Sequence, residues 1–175
     1  MQIKRKLTIA FLSILALGLL IPQRGVVPVQ HASAKDWHAQ SFWYSPWGES
    51  GVHKGIDIFA KRGTPVLSNG AGLVLFSGNI RMGGNVVAVL GAKWRIHYYA
   101  HLKQRDVTSL NWLSSGETIG QVGDTGNAAG KPSHLHYSVL SLIPYPWRIS
   151  LQAQGYKKMW FLNPAETFSE SAYMA

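Results

Sequence analysis

The sequence predicts an all-β domain: an antiparallel two-sheet sandwich or barrel-like fold with Gly-rich turns and little helix. Three observations carry this. Fifteen of the 18 glycines fall between Gly48 and Gly130. Short apolar runs stand between them, among them Pro65-Val66-Leu67, Gly72 to Phe76, Asn85 to Leu90, Arg95 to Tyr99 and Thr118 to Val122. No window in this region repeats apolar residues at helical spacing, whereas short strands bounded by glycine are the pattern of antiparallel sheets.

The chain opens differently. Lys4-Arg5-Lys6 followed by an apolar run from Leu7 to Ile21 reads as an export signal, and Ala32-Ser33-Ala34 fits a small-residue cleavage site. The expected organisation is therefore a signal peptide over 1–34, a loop-rich lead-in over 35–52, the main domain within 48–166 and a tail over 167–175. The apolar run is short for a membrane span, which needs roughly 20 residues. An uncleaved N-terminal anchor is the alternative, and it is the only membrane contact expected. Either way the functional part lies outside the cytoplasm, in the periplasm or cell envelope or secreted.

The lead-in carries Trp37, Trp43, Tyr44 and Trp47 without helical or strand periodicity. Beyond Tyr137, apolar alternation continues to Ile143, and Pro144 and Pro146 end the strand. A short amphipathic helix is expected within 148–163.

Composition narrows the chemistry. Of 175 residues none is cysteine, which excludes disulfides, thiolate metal sites and a cysteine nucleophile. Any metal must be held by histidine and carboxylate, and Asp plus Glu number only 8. The net charge is +9, but Lys4, Arg5, Lys6 and Arg24 precede residue 35, leaving 13 basic against 8 acidic residues. No basic run is interleaved with aromatics, so a nucleic-acid partner is not expected.

Three segments can carry a reaction. In Ser133-His134-Leu135-His136-Tyr137, strand alternation puts both imidazoles on one face and Leu135 on the other. In His53-Lys54-Gly55-Ile56-Asp57, a straight strand would hold His53 and Asp57 roughly 13 Å apart, too far to share an ion, so a site here requires a bend at Gly55. In Tyr98-Tyr99-Ala100-His101-Leu102, alternation groups Tyr99 with His101, and His97 shares that face as a decoy. The candidate ligands are His53, Asp57 and one of the 134/136 pair. Three protein ligands are the pattern of a catalytic rather than a structural zinc.

These segments resemble the lysostaphin-type, LytM-like zinc metallopeptidases, endopeptidases of peptidoglycan. The matching motifs are His53-x-x-x-Asp57, Tyr99-Ala100-His101-Leu102 and His134-Leu135-His136. They are joined by Gly63-Thr64-Pro65-Val66, Gly83-Gly84-Asn85 and Gly120-x-x-Gly123-x-Thr125-Gly126, in order over roughly residues 48–140. The resemblance implies a two-sheet fold of the duplicated hybrid type. It implies one zinc per chain held by His53, Asp57 and His136, with His101 and His134 acting on the reacting peptide of a peptidoglycan substrate.

Two departures stand out: Ser133 where proline is usual, and Gly91 where many members carry a histidine, so that a groove contact is expected to be missing. Some relatives have lost their ligands and only regulate other wall hydrolases, which is the alternative reading. All five key residues are present here.

Overall fold

The computed structural model describes residues 2–23 and 25–168. Helix α1 spans Gln2–Leu20. Ten strands follow among the described residues: β1 Ile56–Phe59, β2 Pro65–Leu67, β3 Gly72–Ile80, β4 Gly84–Gly91, β5 Arg95–Leu102, β6 Gln104–Arg105, β7 Trp112–Leu113, β8 Thr118–Gln121, β9 His134–Ser141 and β10 Phe161–Leu162. Every paired strand is antiparallel. The larger sheet runs β1-β9-β5-β4-β3-β7, and β10 continues the β1 edge of β9; the smaller runs β2-β8-β6. The expected all-β, two-sheet class is what the chain adopts.

Alternation explains the core. Leu135, Tyr137 and Val139 of β9, Ile56 and Ile58 of β1 and Tyr99 of β5 are all buried and pack in one cluster with Val66 and Ile119 of the smaller sheet. The intervening residues of the same strands face the other way. Asp57 of β1 lies opposite His136 of β9, and Ala100 of β5 is the partner of His136 on its other side. The three central strands therefore bring the chemistry-bearing segments side by side.

Residues 25–37 lead into this core. Val29 is buried and bridges Val66, and Trp37 bridges Ile58. The lead-in 35–52 is built of short 3-10 turns, as its composition suggests. At the other end, Phe168 packs against Trp37 and Tyr137. Of the tail expected over 167–175, Thr167 and Phe168 are buried, and 169–175 lie outside the described residues.

The amphipathic helix expected within 148–163 does not form. That stretch holds 3-10 turns at Pro146–Arg148 and Gly155–Met159. Gln154 is left-handed at φ 52°, and Gly155 lies so close to the Ser150 carbonyl that no Cβ would fit. The left-handed residue interrupts a helical run. Among the described residues no helix is long and apolar enough to cross a membrane.

Candidate metal centre and substrate groove

A groove of about 560 Å³ opens over the central strands, with His53, Asp57, His101, His134 and His136 in its wall. All five candidate residues therefore meet in one place.

His53 and Asp57 come together because the chain turns before β1. The Nε2 of His53 lies 3.1 Å from Oδ1 of Asp57. Gly55 makes the turn possible by close approach: a Cβ there would run into the Tyr137 carbonyl oxygen and the Ser138 hydroxyl of β9. Its φ is ordinary, so bulk rather than backbone conformation requires the glycine.

His136 completes a triangle. Its Nδ1 is 2.9 Å from Asp57 Oδ1 and 3.1 Å from His53 Nε2. The tautomer of His53 follows from its far side. Its Nδ1 is 2.9 Å from the Ser41 carbonyl, which only accepts, so Nδ1 carries the proton and donates it. Nε2 then points a lone pair at a carboxylate oxygen, an arrangement that calls for a cation between them. Ligand atoms about 2.0–2.1 Å from a tetrahedral zinc stand ~3.3 Å from one another. The spacings of 2.9–3.1 Å are close to that, so the donor set and its geometry fit zinc.

The electrostatics agree. Burial, the largest influence on Asp57, pushes its carboxyl up, but hydrogen bonding and charge from His136 and His53 outweigh it and hold it well below the usual carboxylate range. Burial pushes His136 down, offset in part by Asp57. The site holds a carboxylate and two imidazole nitrogens facing one point.

His101 reaches the groove by a route that alternation does not give. In β5 the register slips by one residue between Val87↔Tyr99 and Asn85↔Leu102, and His101 itself is left-handed at φ 63°. This bulge turns His101 away from the core side of Tyr99 and into the groove beside Tyr98 and Ala100. His97 stays on the core side, buried, with Nδ1 2.6 Å from the Tyr137 hydroxyl. The grouping of Tyr99, His101 and His97 on one face is thereby corrected.

Both remaining histidines are oriented by backbone carbonyls. His101 Nδ1 donates to Thr125 at 2.9 Å, and His134 Nδ1 donates to Pro132 at 2.8 Å. In a neutral ring this leaves Nε2 as the lone pair. That of His134 is 4.0 Å from Asp57 Oδ1. Burial, with His136 and His134 adding to it, pushes His101 down to about 4, so it is neutral near pH 7.

The glycine landmarks hold the Thr125 carbonyl in position. Gly84, at φ 64°, lies against Thr125, and Gly126 against Met82 and Gly83, with no room for a Cβ at either.

The departures also acquire a physical account. The Ser133 hydroxyl donates to the Ala60 carbonyl at 2.7 Å, tying the start of β9 to the end of β1. Gly91 pairs with Arg95 and Gly72 at the far end of the sheet and touches His97. It is not a groove position, so nothing in the groove is lost there.

Sequence reasoning missed two groove residues. Trp47 stacks on His53 with ring centroids 4.1 Å apart, and Tyr98 lies edge-on to His136 at 6.4 Å. Trp47 stood out only as one aromatic of the lead-in. Tyr98 could have been found from its alternation with Ala100.

Residues 51–143 match the model of Peptidase family M23, and the chain belongs to that family. It is 33% identical over 140 residues to the L-Ala--D-Glu endopeptidase of Bacillus subtilis, covering 70% of this chain and 43% of the relative. It is 37% identical over 93 residues to the peptidoglycan DD-endopeptidase ShyC of Vibrio cholerae, covering 53% of this chain and 21% of the relative. The chain thus spans less than half the length of these curated relatives. In fold it is similar to the catalytic domain of the antimicrobial peptidase lysostaphin from Staphylococcus simulans, with a TM-score of 0.60 at 23% identity over 78% of this chain and 97% of that one.

Proposed function

We propose that this chain is a zinc-dependent endopeptidase, exported to the cell envelope, that hydrolyses peptide cross-links or stem peptides of bacterial peptidoglycan. One observation carries the reading. His53 Nε2, Asp57 Oδ1 and His136 Nδ1 converge within 3.1 Å of one another in a groove that also holds His101 and His134.

His53, Asp57 and His136 would hold the zinc. Bound there, zinc acidifies a water and polarises a carbonyl. The chain's own residues do the rest. His101 and His134 each have Nδ1–H fixed on a carbonyl, so a neutral ring presents Nε2 as a base, and one of them takes a proton from the attacking water there. That imidazolium Nε2–H then donates to the departing amine. The second histidine, when it has taken a proton from solvent at Nε2 before the water attacks, donates that N–H to the oxygen on which charge develops. Trp47 holds the His53 ring by stacking, and Tyr98 and Phe59 form apolar parts of the groove wall.

The test is digestion of purified sacculi by the zinc-loaded protein, with released muropeptides identified by mass spectrometry. New peptide termini in the cross-linked or stem peptides are expected, and their identity names the bond. No released peptides from a protein shown to carry zinc would overturn the reading in favour of a catalytically silent wall-binding module.

A further inference from the structure

The small-residue motif Ala32-Ser33-Ala34 lies inside the folded domain. Val26 N–H donates to Asn69 O at 2.9 Å, Gln30 N–H to Pro65 O at 3.0 Å, and Leu67 N–H to Pro28 O at 3.0 Å. Segment 26–30 thus covers the open edge of β2. Asn69 Nδ2 donates to Val26 O at 2.6 Å. Gly25 is pressed against the Thr167 carbonyl and the Asn69 amide with no room for a Cβ. Ser33 is buried, and its N–H donates to Asp36 at 2.8 Å. A chain cut after Ala34 would lose a core residue, Val29, and expose a strand edge.

What precedes this segment is α1, apolar on all sides from Leu7 onward, with no buried residue. A helix of that kind needs an apolar surrounding. It meets the domain at the 92–94 turn, where Trp94 Nε1 donates to Leu15 O at 2.9 Å. The same turn accepts from Leu142 N–H at 2.9 Å through Trp94 O.

Leu142 opens a loop whose Trp147 and Ile149 are exposed, Trp147 by 78%. Tyr145 packs edge-on to Trp147, and Arg95, which bonds Gln23, interacts with Tyr145. Arg95 and Lys93 lie near the Tyr145 hydroxyl, Arg148 follows Trp147 in the same turn, and no acid occurs between Asp57 and Asp106 or between Asp124 and Glu166.

We infer that α1 is retained in the mature protein, and that α1 and the 142–149 loop together seat the folded domain on an anionic phospholipid bilayer. Tryptophan and tyrosine beside lysine and arginine, with apolar side chains between, are the composition of a membrane interface. The groove lies at the other end of the sheet. Ser141 pairs with Arg95 beside the patch, and His136 is five residues along β9, roughly 17 Å away at about 3.3 Å per residue. The domain would stand on the membrane with its groove directed away from it.

The experiment takes the full chain exported from a bacterium, fractionates the cells and determines its N-terminus by intact mass. It then measures binding of the purified chain to phosphatidylglycerol and phosphatidylcholine vesicles at low and high salt. An intact α1, recovery with membranes, and at least tenfold tighter binding to phosphatidylglycerol at low salt are expected. The double variant Trp147→Ala, Ile149→Ala should weaken vesicle binding tenfold or more while its melting curve stays unchanged. A mature protein beginning at Lys35, or one beginning between residues 21 and 25, would overturn the inference, as would vesicle binding untouched by the double variant. Recovery with membranes but no binding to either vesicle would assign the face to a protein partner and overturn the lipid assignment. None of these readouts depends on peptidase activity.

Discussion

The Nε2 of His53 and the Nδ1 of His136, 83 residues apart in the chain, face each other at 3.1 Å across the Oδ1 of Asp57. Two imidazole nitrogens and a carboxylate oxygen at that spacing repel one another unless a positive charge lies among them. Zinc binding should raise the melting temperature, by the equivalent of about 2.7 kcal/mol at a free metal concentration of 100 times Kd. Elemental analysis should find one zinc per chain, lost in His53→Ala and in Asp57→Ala.

His101 should behave differently from the three proposed ligands. Its Nδ1–H is fixed on Thr125 and its ring lies beside the triangle without joining it. His101→Ala is expected to keep stoichiometric zinc while turnover falls about 10²–10⁴-fold, the usual range for loss of a proton-transfer group. Release of zinc from this variant would contradict the assignment.

Gly55 offers a test of the bend. Gly55→Ala puts a methyl group into the Tyr137 carbonyl and against the His136 ring. The His53–Asp57 segment must then move away from β9. Zinc affinity, measured by chelator competition, should fall at least tenfold, with the melting temperature of the metal-free protein lowered as well.

His97 should matter for stability and not for turnover. His97→Ala empties a buried site and removes the partner of the Tyr137 hydroxyl. A loss of about 2–4 kcal/mol is expected from comparable core truncations, with activity per folded molecule nearly unchanged.

The same residue gives a pH dependence. Burial, with Arg95 adding to it, pushes His97 down to about 4 from an ordinary 6.5. Between those values the unfolded chain binds a proton that the folded chain does not. This stability is present above pH 6.5 and is lost as pH falls towards 4, by up to about 3 kcal/mol. Urea midpoints at pH 7 and pH 4.5 should converge in His97→Gln relative to the unsubstituted protein.

Much of this site is legible in the sequence because strand alternation is local. With Leu135 in the core, His134 and His136 must share the opposite face, and the structure has them there. The need for a bend between His53 and Asp57 also follows from strand length alone. The sequence by itself thus determined the all-β class and pointed to the five residues that meet in the groove. Only the tertiary structure decided how His101 reaches the groove, that Trp47 covers His53, and that residues 25–37 belong to the core. The reason is the same in each case. A one-residue bulge reverses alternation without leaving a mark in composition, and the stacking of Trp47 and the pairing of Val29 with Val66 depend on partners fixed by the sheet rather than by neighbours in the chain.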